Sequence, residues 1–185
     1  MNAPNSAPQE PPPGVVITPA AAEMLARLQD RHGPLMFHQS GGCCDGSSPM
    51  CYPRGDFLIG DRDVLLGLLD VGARPDEQNG DDGVPVWISG RQYQTWKHTQ
   101  LVIDVVPGRG GGFSLEAPEG VRFLSRGRVF TDAEKALLQA IPVITGAAYE
   151  RGERPLVRGE IIALDKACAK AAAPETCRPG SRQPQ

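Results

Sequence analysis

The sequence predicts an α+β fold: a compact domain with a mixed or antiparallel β-sheet, an amino-terminal helix packed on the sheet, and a carboxyl-terminal helical extension. Its 185 residues include 22 glycines and 18 prolines but only 5% aromatic residues. This composition is typical of a turn-rich chain with strands and not of a helical bundle. An early segment has the apolar spacing of an amphipathic helix, and several later apolar runs have the length of strands. The chain is long enough to bury the core of one domain without disulfide bonds.

The first element is an amphipathic helix that follows a polar leader. Residues 1–14 lack the positive and apolar regions of a secretory signal, and their composition predicts disorder. Thr18 is a good N-cap and Pro19 is tolerated in a first turn. The helix is expected to run to about His32, before Gly33 and Pro34, with one apolar side that packs on a sheet. That side consists of Ala21, Met24, Leu25 and Leu28.

The middle of the chain alternates short apolar runs with turn residues, which predicts the strands of the sheet. A short helix is expected from Arg91 to His98. The expected strands are Leu35 to Gln39, a pair formed by Phe57 to Ile59 and Val64 to Leu69, then Val84 to Ser89 and Leu101 to Val106.

A glycine-rich run at residues 108–112 resembles a phosphate-binding loop only superficially. A dinucleotide fingerprint needs a further glycine at the position of Phe113 and a helix afterwards. Residues 113–116 instead alternate like a strand. The glycines are therefore expected to form a tight hairpin or a close backbone approach.

The end of the chain is predicted to be helical and then disordered. Thr131 and Glu134 have the spacing of a capping box, and a second helical stretch is expected from Ile161 to Ala173. Polar and proline-rich residues follow to the end. The expected organisation is a leader over 1–14, a core domain over 15–130, a helical extension over 131–173 and a tail over 174–185.

Charge and apolar content exclude several classes of protein. The formal net charge is −3, and no basic stripe with interleaved aromatic residues indicates a nucleic-acid interface. No apolar run approaches the roughly 20 residues of a membrane helix. Five cysteines, an odd number clustered largely in one loop, fit a reducing compartment better than a secreted disulfide framework. A soluble cytoplasmic protein is expected.

The chemistry is expected in the segment from His38 to Cys51, which holds a histidine and three cysteines around a Gly-Gly step. Thiolate sulfur and imidazole nitrogen are ligands that zinc and iron prefer. The surrounding loop formers disfavour simple core packing of Cys43 and Cys44. The spacing is not that of paired C-x-x-C knuckles, so it identifies no particular ion. Metal binding, thiol redox chemistry and inert packing remain open alternatives.

Three segments resemble the domain of unknown function 779 family, whose members are often labelled aldehyde dehydrogenase associated proteins. The matching motifs are GPLMFHQSGGCCDGSSPMC (residues 33–51), WKHTQL (96–101) and DVVPGRGGGFSLE (104–116). The resemblance covers about residues 15–130. It implies a partner, an NAD-dependent aldehyde dehydrogenase, and not a reaction.

A more distant resemblance links the order of helix, strand, Gly-Gly-Cys loop and glycine-rich turn to the HesB-like A-type iron-sulfur carriers. These carriers have a second cysteine pair in a C-G-C turn, which this chain lacks after Phe113. An iron or zinc ion is therefore expected in preference to an iron-sulfur cluster. The candidate ligands are Cys43, Cys44 and Cys51, with nitrogen donors from His38 and His98.

The sequence thus predicts a small metal-binding accessory protein for an aldehyde dehydrogenase. One alternative is a thiol enzyme in which Cys43 or Cys44 attacks an aldehyde or peroxide and Cys51 resolves the product. The other alternative is an iron-sulfur carrier. A homodimer is a further open question, because exposed sheet edges invite pairing.

Overall fold

The computed structural model describes residues 10–40, 48–72, 83–109 and 112–163, and seven strands lie in these ranges. The two longest strands form a nine-residue antiparallel pair. The strands are β1 (Val15–Ile17), β2 (Leu35–Gln39), β3 (Met50–Pro53), β4 (Val64–Leu69), β5 (Val84–Ile88), β6 (Thr99–Pro107) and β7 (Val121–Val129).

Four α-helices and one 3-10 turn complete the described ranges, and most of them are short. None of these helices has both the length and the apolar character needed to cross a bilayer. The helices are α1 (Pro19–His32), α2 (Gly90–Trp96), α3 (Asp132–Leu138) and α4 (Gly146–Glu150), and the 3-10 turn spans Ala117–Glu119.

The strands form two mixed sheets, which confirms the predicted α+β class. One sheet has the order β3-β2-β5-β4, in which β2 and β5 are parallel and the outer pairs are antiparallel. The other has the order β1-β6-β7, with β1 parallel and β7 antiparallel to the central strand. The sequence predicted one sheet; the structure divides its strands between two.

The main core lies where the two sheets and α1 meet. Phe37 of β2 and Phe123 of β7, both fully buried, contact each other edge to face with ring centroids 4.9 Å apart. Leu25 and Leu28 of α1 belong to the same apolar cluster. Edge-to-face aromatic pairs add to the free energy gained from apolar burial, so this contact helps to stabilise the packing of the two sheets.

A second, smaller cluster covers the opposite face of the four-stranded sheet. Met36, Leu65 and Trp87 are buried there beneath Ile144 and Ala148 of the carboxyl-terminal segment. Successive side chains of a strand point to opposite faces. Met36 therefore packs in this cluster while Phe37 packs in the main core, and β2 is buried on both faces.

The segment after α3 closes two sheet edges. The amide of Leu65 in β4 donates to the carbonyl of Ile144 at 2.9 Å. At β1, Ile17 donates to Glu160 at 3.1 Å and accepts from Ile162 at 2.8 Å. Part of the predicted carboxyl-terminal extension is thus integral to the packed fold, because its backbone satisfies edge groups that the strands leave unpaired.

Several predicted elements are confirmed. The helix α1 begins after Thr18, whose Oγ1 accepts from the amide of Ala21, and it ends at His32 as expected. The strands β2, β4, β5 and β6 and the short helix α2 lie where the sequence placed them, within two residues. The capping box of Thr131 and Glu134 is present at the start of α3.

Two predicted strands are wrong. Residues 57–59 form no ladder; Phe57 and Ile59 instead lay their side chains on the second cluster, and Leu58 is 90% exposed. Residues 113–116 form a turn that leads into the 3-10 turn, because the amide of Ala117 bonds the carbonyl of Ser114. At residues 57–59 the apolar side chains face the core as an alternating strand would, but the backbone does not pair. At residues 113–116 the expected alternation is reversed, because Phe113 is 85% exposed while Ser114 and Glu116 are buried.

The helix predicted from Ile161 to Ala173 does not begin at Ile161. Residues 161–163 are not helical, and Ile161 bridges Ile17 of β1 in parallel. Hydrogen bonds to an edge strand replace the bonds of a first helical turn. Residues 164–173 of that prediction, the leader over residues 1–9 and the tail over 174–185 lie outside the described residues.

Candidate functional site

The end of β2 places His38 on the face of the sheet that carries the second cluster. His38 pairs in register with Met50 of β3 and with Trp87 of β5. It is 3% exposed. Its ring packs against Phe57, with centroids 4.3 Å apart and planes at 33°. Phe57 also stacks on Tyr52, so aromatic side chains cover the imidazole and restrict its rotation.

Both ring nitrogens of His38 have hydrogen-bond partners. The Nε2 atom lies 3.1 Å from the Oδ2 atom of Asp63. The Nδ1 atom lies 2.8 Å from the hydroxyl oxygen of Ser40. The carboxylate favours the tautomer with the proton on Nε2, so Nδ1 accepts from the Ser40 hydroxyl. Ser40, His38 and Asp63 thus form a continuous chain of hydrogen bonds.

A tight turn that precedes β4 holds Asp63. The Oδ2 atom accepts from the amide of Gly60 at 2.9 Å, and the amide of Asp63 donates to the carbonyl of Gly60 at 2.9 Å. Gly146, the first residue of α4, donates to the carbonyl of Asp63 at 2.8 Å. A Cβ atom at Gly146 would lie only 2.3 Å from the carbonyl oxygen of Gly60. The close approach of α4 to the turn therefore requires glycine there.

Burial controls the charge of His38. Desolvation lowers the pKa of the imidazole below its usual value, and the hydrogen bond and charge of Asp63 offset only part of this effect. A lowered pKa keeps the ring neutral near pH 7, because the buried cation would lose its hydration. A neutral imidazole has a lone pair on Nδ1, which can bind a metal ion or accept a proton.

Cys51 lies on the other face of the four-stranded sheet. It pairs in register with Phe37 and belongs to the main core, with 0% exposure. Burial raises the pKa of its thiol well above the usual value, and the nearby charge of Glu116 raises it further. His38 and Cys51 therefore cannot share one ion without rearrangement of β2 or β3, because their side chains leave the sheet in opposite directions.

Glu116 is a buried carboxyl group in a segment whose sequence pattern predicts a strand. One carboxylate oxygen accepts a short hydrogen bond from the hydroxyl of Ser114, and the other accepts from the amide of Phe123 at 3.3 Å. The Ser114 hydroxyl in turn accepts from the amide of Cys51 at 2.9 Å. Desolvation raises the pKa of Glu116 above its usual value, although these bonds oppose the shift. Through these hydrogen bonds, Ser114 and Glu116 connect the turn at residues 112–120 to β3 and β7.

His98 is exposed and directly precedes β6, a strand of the three-stranded sheet, whereas β2 belongs to the four-stranded sheet. Its carbonyl accepts from the amide of Phe130 at 3.0 Å, which closes the end of the β6 and β7 pair. The described geometry gives His98 a backbone role and does not bring its ring beside His38.

Cys43 and Cys44 lie outside the described residues, as do Cys168 and Cys177. Within the described ranges, no group of three or more histidine, cysteine, aspartate or glutamate side chains is arranged to hold a metal ion. Of the five candidate ligands, the structure places His38 in a polar setting, Cys51 in the core and His98 at the surface.

Sequence reasoning missed Asp63 and Ser40 as partners of His38. Asp63 was recognised only as part of a turn between two strands. No local signal pairs Asp63 with His38, because the two residues meet only through the strand order of the folded sheet, in which β4 and β2 flank β5. Ser40 follows His38 by two residues, and this spacing puts both side chains on one face of an extended chain.

Fold and site together define a two-sheet α+β protein with a carboxylate-oriented histidine at the end of β2, a few residues before Cys43 and Cys44 in the sequence. The chain belongs to the family described as domain of unknown function, DUF779, whose family model matches residues 24–129. The match ends at the last residue of β7, so the edge-closing segment from α3 onward lies beyond it. Comparison with curated proteins and with solved structures finds no match.

Proposed function

We propose that this protein is a metal-binding accessory protein that binds one iron or zinc ion and works with an NAD-dependent aldehyde dehydrogenase. His38 is the nitrogen ligand, through Nδ1, and the thiolates of Cys43 and Cys44 are the sulfur ligands. The observation that carries the proposal is the hydrogen bond from His38 to Asp63. Histidines that bind metal ions commonly donate their second ring N–H to a carboxylate, which fixes the tautomer and orients the ring.

The electrostatics of His38 support the same role. Its lowered pKa favours the neutral form that a metal ion requires. The Ser40 hydroxyl bonded to Nδ1 is only half-buried, so a metal ion can take its place on this nitrogen without loss of the Asp63 bond. Cys43 follows Ser40 by three residues. Cys51 is left out of this ligand set because it is buried on the other face of the sheet, and His98 because it is exposed before β6 and not beside His38.

The dehydrogenase partner rests on the family resemblance. Leu58 is 90% exposed and directly follows Phe57, the residue that packs on His38. A single exposed leucine is normal on a protein surface, so Leu58 serves here as the place where the contact can be tested and not as support for the partner. We expect the cytoplasm as the compartment, since it keeps Cys43 and Cys44 reduced.

A thiol enzyme is the second candidate. The pair of His38 and Asp63 can act as a base that withdraws the proton from Cys43 or Cys44 and so forms a nucleophilic thiolate. The burial of Cys51 disfavours its predicted role as the resolving thiol, so resolution falls to the adjacent cysteine or to an external thiol. A HesB-like iron-sulfur carrier is the third candidate, and the missing C-G-C turn weighs against it.

Elemental analysis of protein purified without chelators or a histidine tag tests the proposal. We expect about one iron or zinc per chain in the wild type, strong loss in His38→Gln and in the double variant Cys43→Ser with Cys44→Ser, and full content in the control His98→Gln. Full metal content in both site variants would overturn the metal site. A metal-free wild type with one fast-reacting thiol would favour the thiol enzyme, and a coloured, labile cluster would favour the carrier.

The partner is tested separately by mixing the chain with a purified NAD-dependent aldehyde dehydrogenase. Co-elution from a sizing column or a change in dehydrogenase activity is expected, and both should weaken in Leu58→Glu. Elution of two unchanged peaks together with unchanged activity would remove the partner. The elution volume of the chain alone reports whether it forms a homodimer.

A further inference from the structure

A half-open cavity of about 130 Å³ lies beside α2. Its walls come from the edge of β4, from α2, from the last residue of α3 and residues 141–144 after it, and from residues 155–157. His38 and Asp63 are not among its lining residues. The cavity is therefore separate from the site proposed for metal.

The walls of the cavity are mainly apolar. Val64 and Phe130 are at most 6% exposed, and Trp96, Leu138 and Ile141 complete much of the lining. A cavity of about 150 Å³ with a similar aliphatic and aromatic lining stays dry and binds benzene. The volume here thus suits a ligand with about six to eight non-hydrogen atoms.

The charge that the described lining residues bring to the cavity is positive. Among the described residues that line the cavity, Lys97 is the charged one, and none of them is a carboxylate. The Lys97 ammonium lies at the exposed end of α2, 3.2 Å from the side-chain oxygen of Gln94, which is neutral. Tyr93 adds a phenol to the same wall, and burial raises its pKa, so the hydroxyl remains a hydrogen-bond donor near pH 7.

We propose that this cavity binds a small monocarboxylate with a short aliphatic tail. The tail lies among Val64, Phe130 and Leu138, and the carboxylate lies at the rim near the Lys97 ammonium and the Tyr93 hydroxyl. Burial of each methylene contributes roughly fourfold in affinity. A cation at the rim selects an anionic head over a neutral or positive one.

Trp96 is a built-in reporter for this proposal. In the variant Trp87→Phe, Trp96 is the remaining tryptophan of the chain, and it lines the cavity. We expect saturable changes in its emission with hexanoate, with a Kd on the order of 1 mM. Hexanol, which has the same tail and no charge, should bind about two- to fivefold more weakly. Acetate, which lacks the tail, should cause no saturable change.

Two further variants separate the tail from the charge. Val143→Phe fills much of the cavity without adding a second tryptophan and should abolish the response to hexanoate. Lys97→Gln should weaken hexanoate about two- to fivefold and leave hexanol unchanged. Circular dichroism checks that each variant folds. If a variant does not fold, amide chemical shifts of the wild-type chain are measured instead. Hexanoate should then move the signals of Thr99 and Phe130.

Equal affinity for hexanoate and hexanol, or no saturable response to either in the emission and in the amide shifts, would overturn the proposal. Two other occupants would be recognised in the same experiment. An emission change caused by Leu164→Asp, without any response to hexanoate, would assign the cavity to the carboxyl-terminal segment of the chain. An emission that depends on protein concentration, again without a response to hexanoate, would assign it to a second copy.

Discussion

Asp63 holds His38 from the turn before β4, on the far side of β5 from β2: its Oδ2 atom lies 3.1 Å from the Nε2 atom of the imidazole and 2.9 Å from the amide of Gly60. One carboxylate oxygen therefore joins a tight turn to a buried ring. Because the turn is itself bonded to α4 through Gly146, the orientation of His38 depends on residues from three separate parts of the chain.

Asp63→Asn should weaken metal binding by about 10- to 100-fold without removal of any ligand, because the amide no longer fixes the tautomer of His38. It should also lower the pKa of His38 further, since Asp63 raises it in the wild type. Metal titration and the imidazole nitrogen signals in NMR measure the two effects. Asp61→Asn is the matched control, as Asp61 is exposed in the same turn and is bonded through its carbonyl. Equal metal affinity in the two variants would contradict the role of Asp63.

Burial of His38 predicts a loss of stability in mild acid. The folded-state pKa is below the ordinary value of 6.5, so the unfolded state binds a proton first as the pH falls. The free energy of unfolding should therefore decrease from about pH 6.5 down to the folded-state pKa and level off below it. Urea denaturation across this range measures the effect. His38→Gln should remove the contribution of His38 to the pH dependence of the free energy of unfolding. An unchanged pH dependence in the variant would show that another group causes it.

Much of the fold was predictable because local signals and tertiary packing agree. In α1, the N-cap Thr18, the apolar spacing and the stop at Gly33 all indicate the same helix, and the main core accepts its apolar side. The residues of β2 are apolar or buried throughout, which is typical of a strand covered on both faces.

The remaining elements depend on long-range contacts that a local pattern does not encode. In β7, the arginines at 122, 126 and 128 mask the strand pattern, yet Arg126 pairs with Asp104 across the sheet and Arg128 with Glu134 of α3. The same holds for the site. His38 was predicted from its residue type, whereas Asp63 became a partner only because β4 and β2 lie in one sheet.

Gly146→Ala should distort the turn that holds Asp63. The new Cβ atom would lie 2.3 Å from the carbonyl oxygen of Gly60, a backbone atom that cannot rotate away. We expect a loss of about 1–3 kcal/mol in the free energy of unfolding and a shift of the His38 imidazole signals. Gly112→Ala is the control, because a Cβ atom there meets nothing within 4 Å. Identical urea midpoints for the two variants would show that α4 does not constrain the turn.

Glu116→Ala should both destabilise the fold and uncover the thiol of Cys51. The change removes the two carboxylate oxygens that accept from the Ser114 hydroxyl and the Phe123 amide, which costs about 1–3 kcal/mol for each buried group left unpaired. The Ser114 hydroxyl bonds the Cys51 amide, so the turn at residues 112–120 should separate from β3.

Alkylation under native conditions, followed by mass spectrometry of the Cys51 peptide, measures the exposure of this thiol. Cys51 should be protected in the wild type, because it is fully buried and its raised pKa keeps it protonated. It should react in Glu116→Ala and stay protected in the control Glu153→Ala, whose side chain is solvent-exposed. Rapid labelling of Cys51 in the wild type would contradict its place in the core and would return it to the set of candidate ligands.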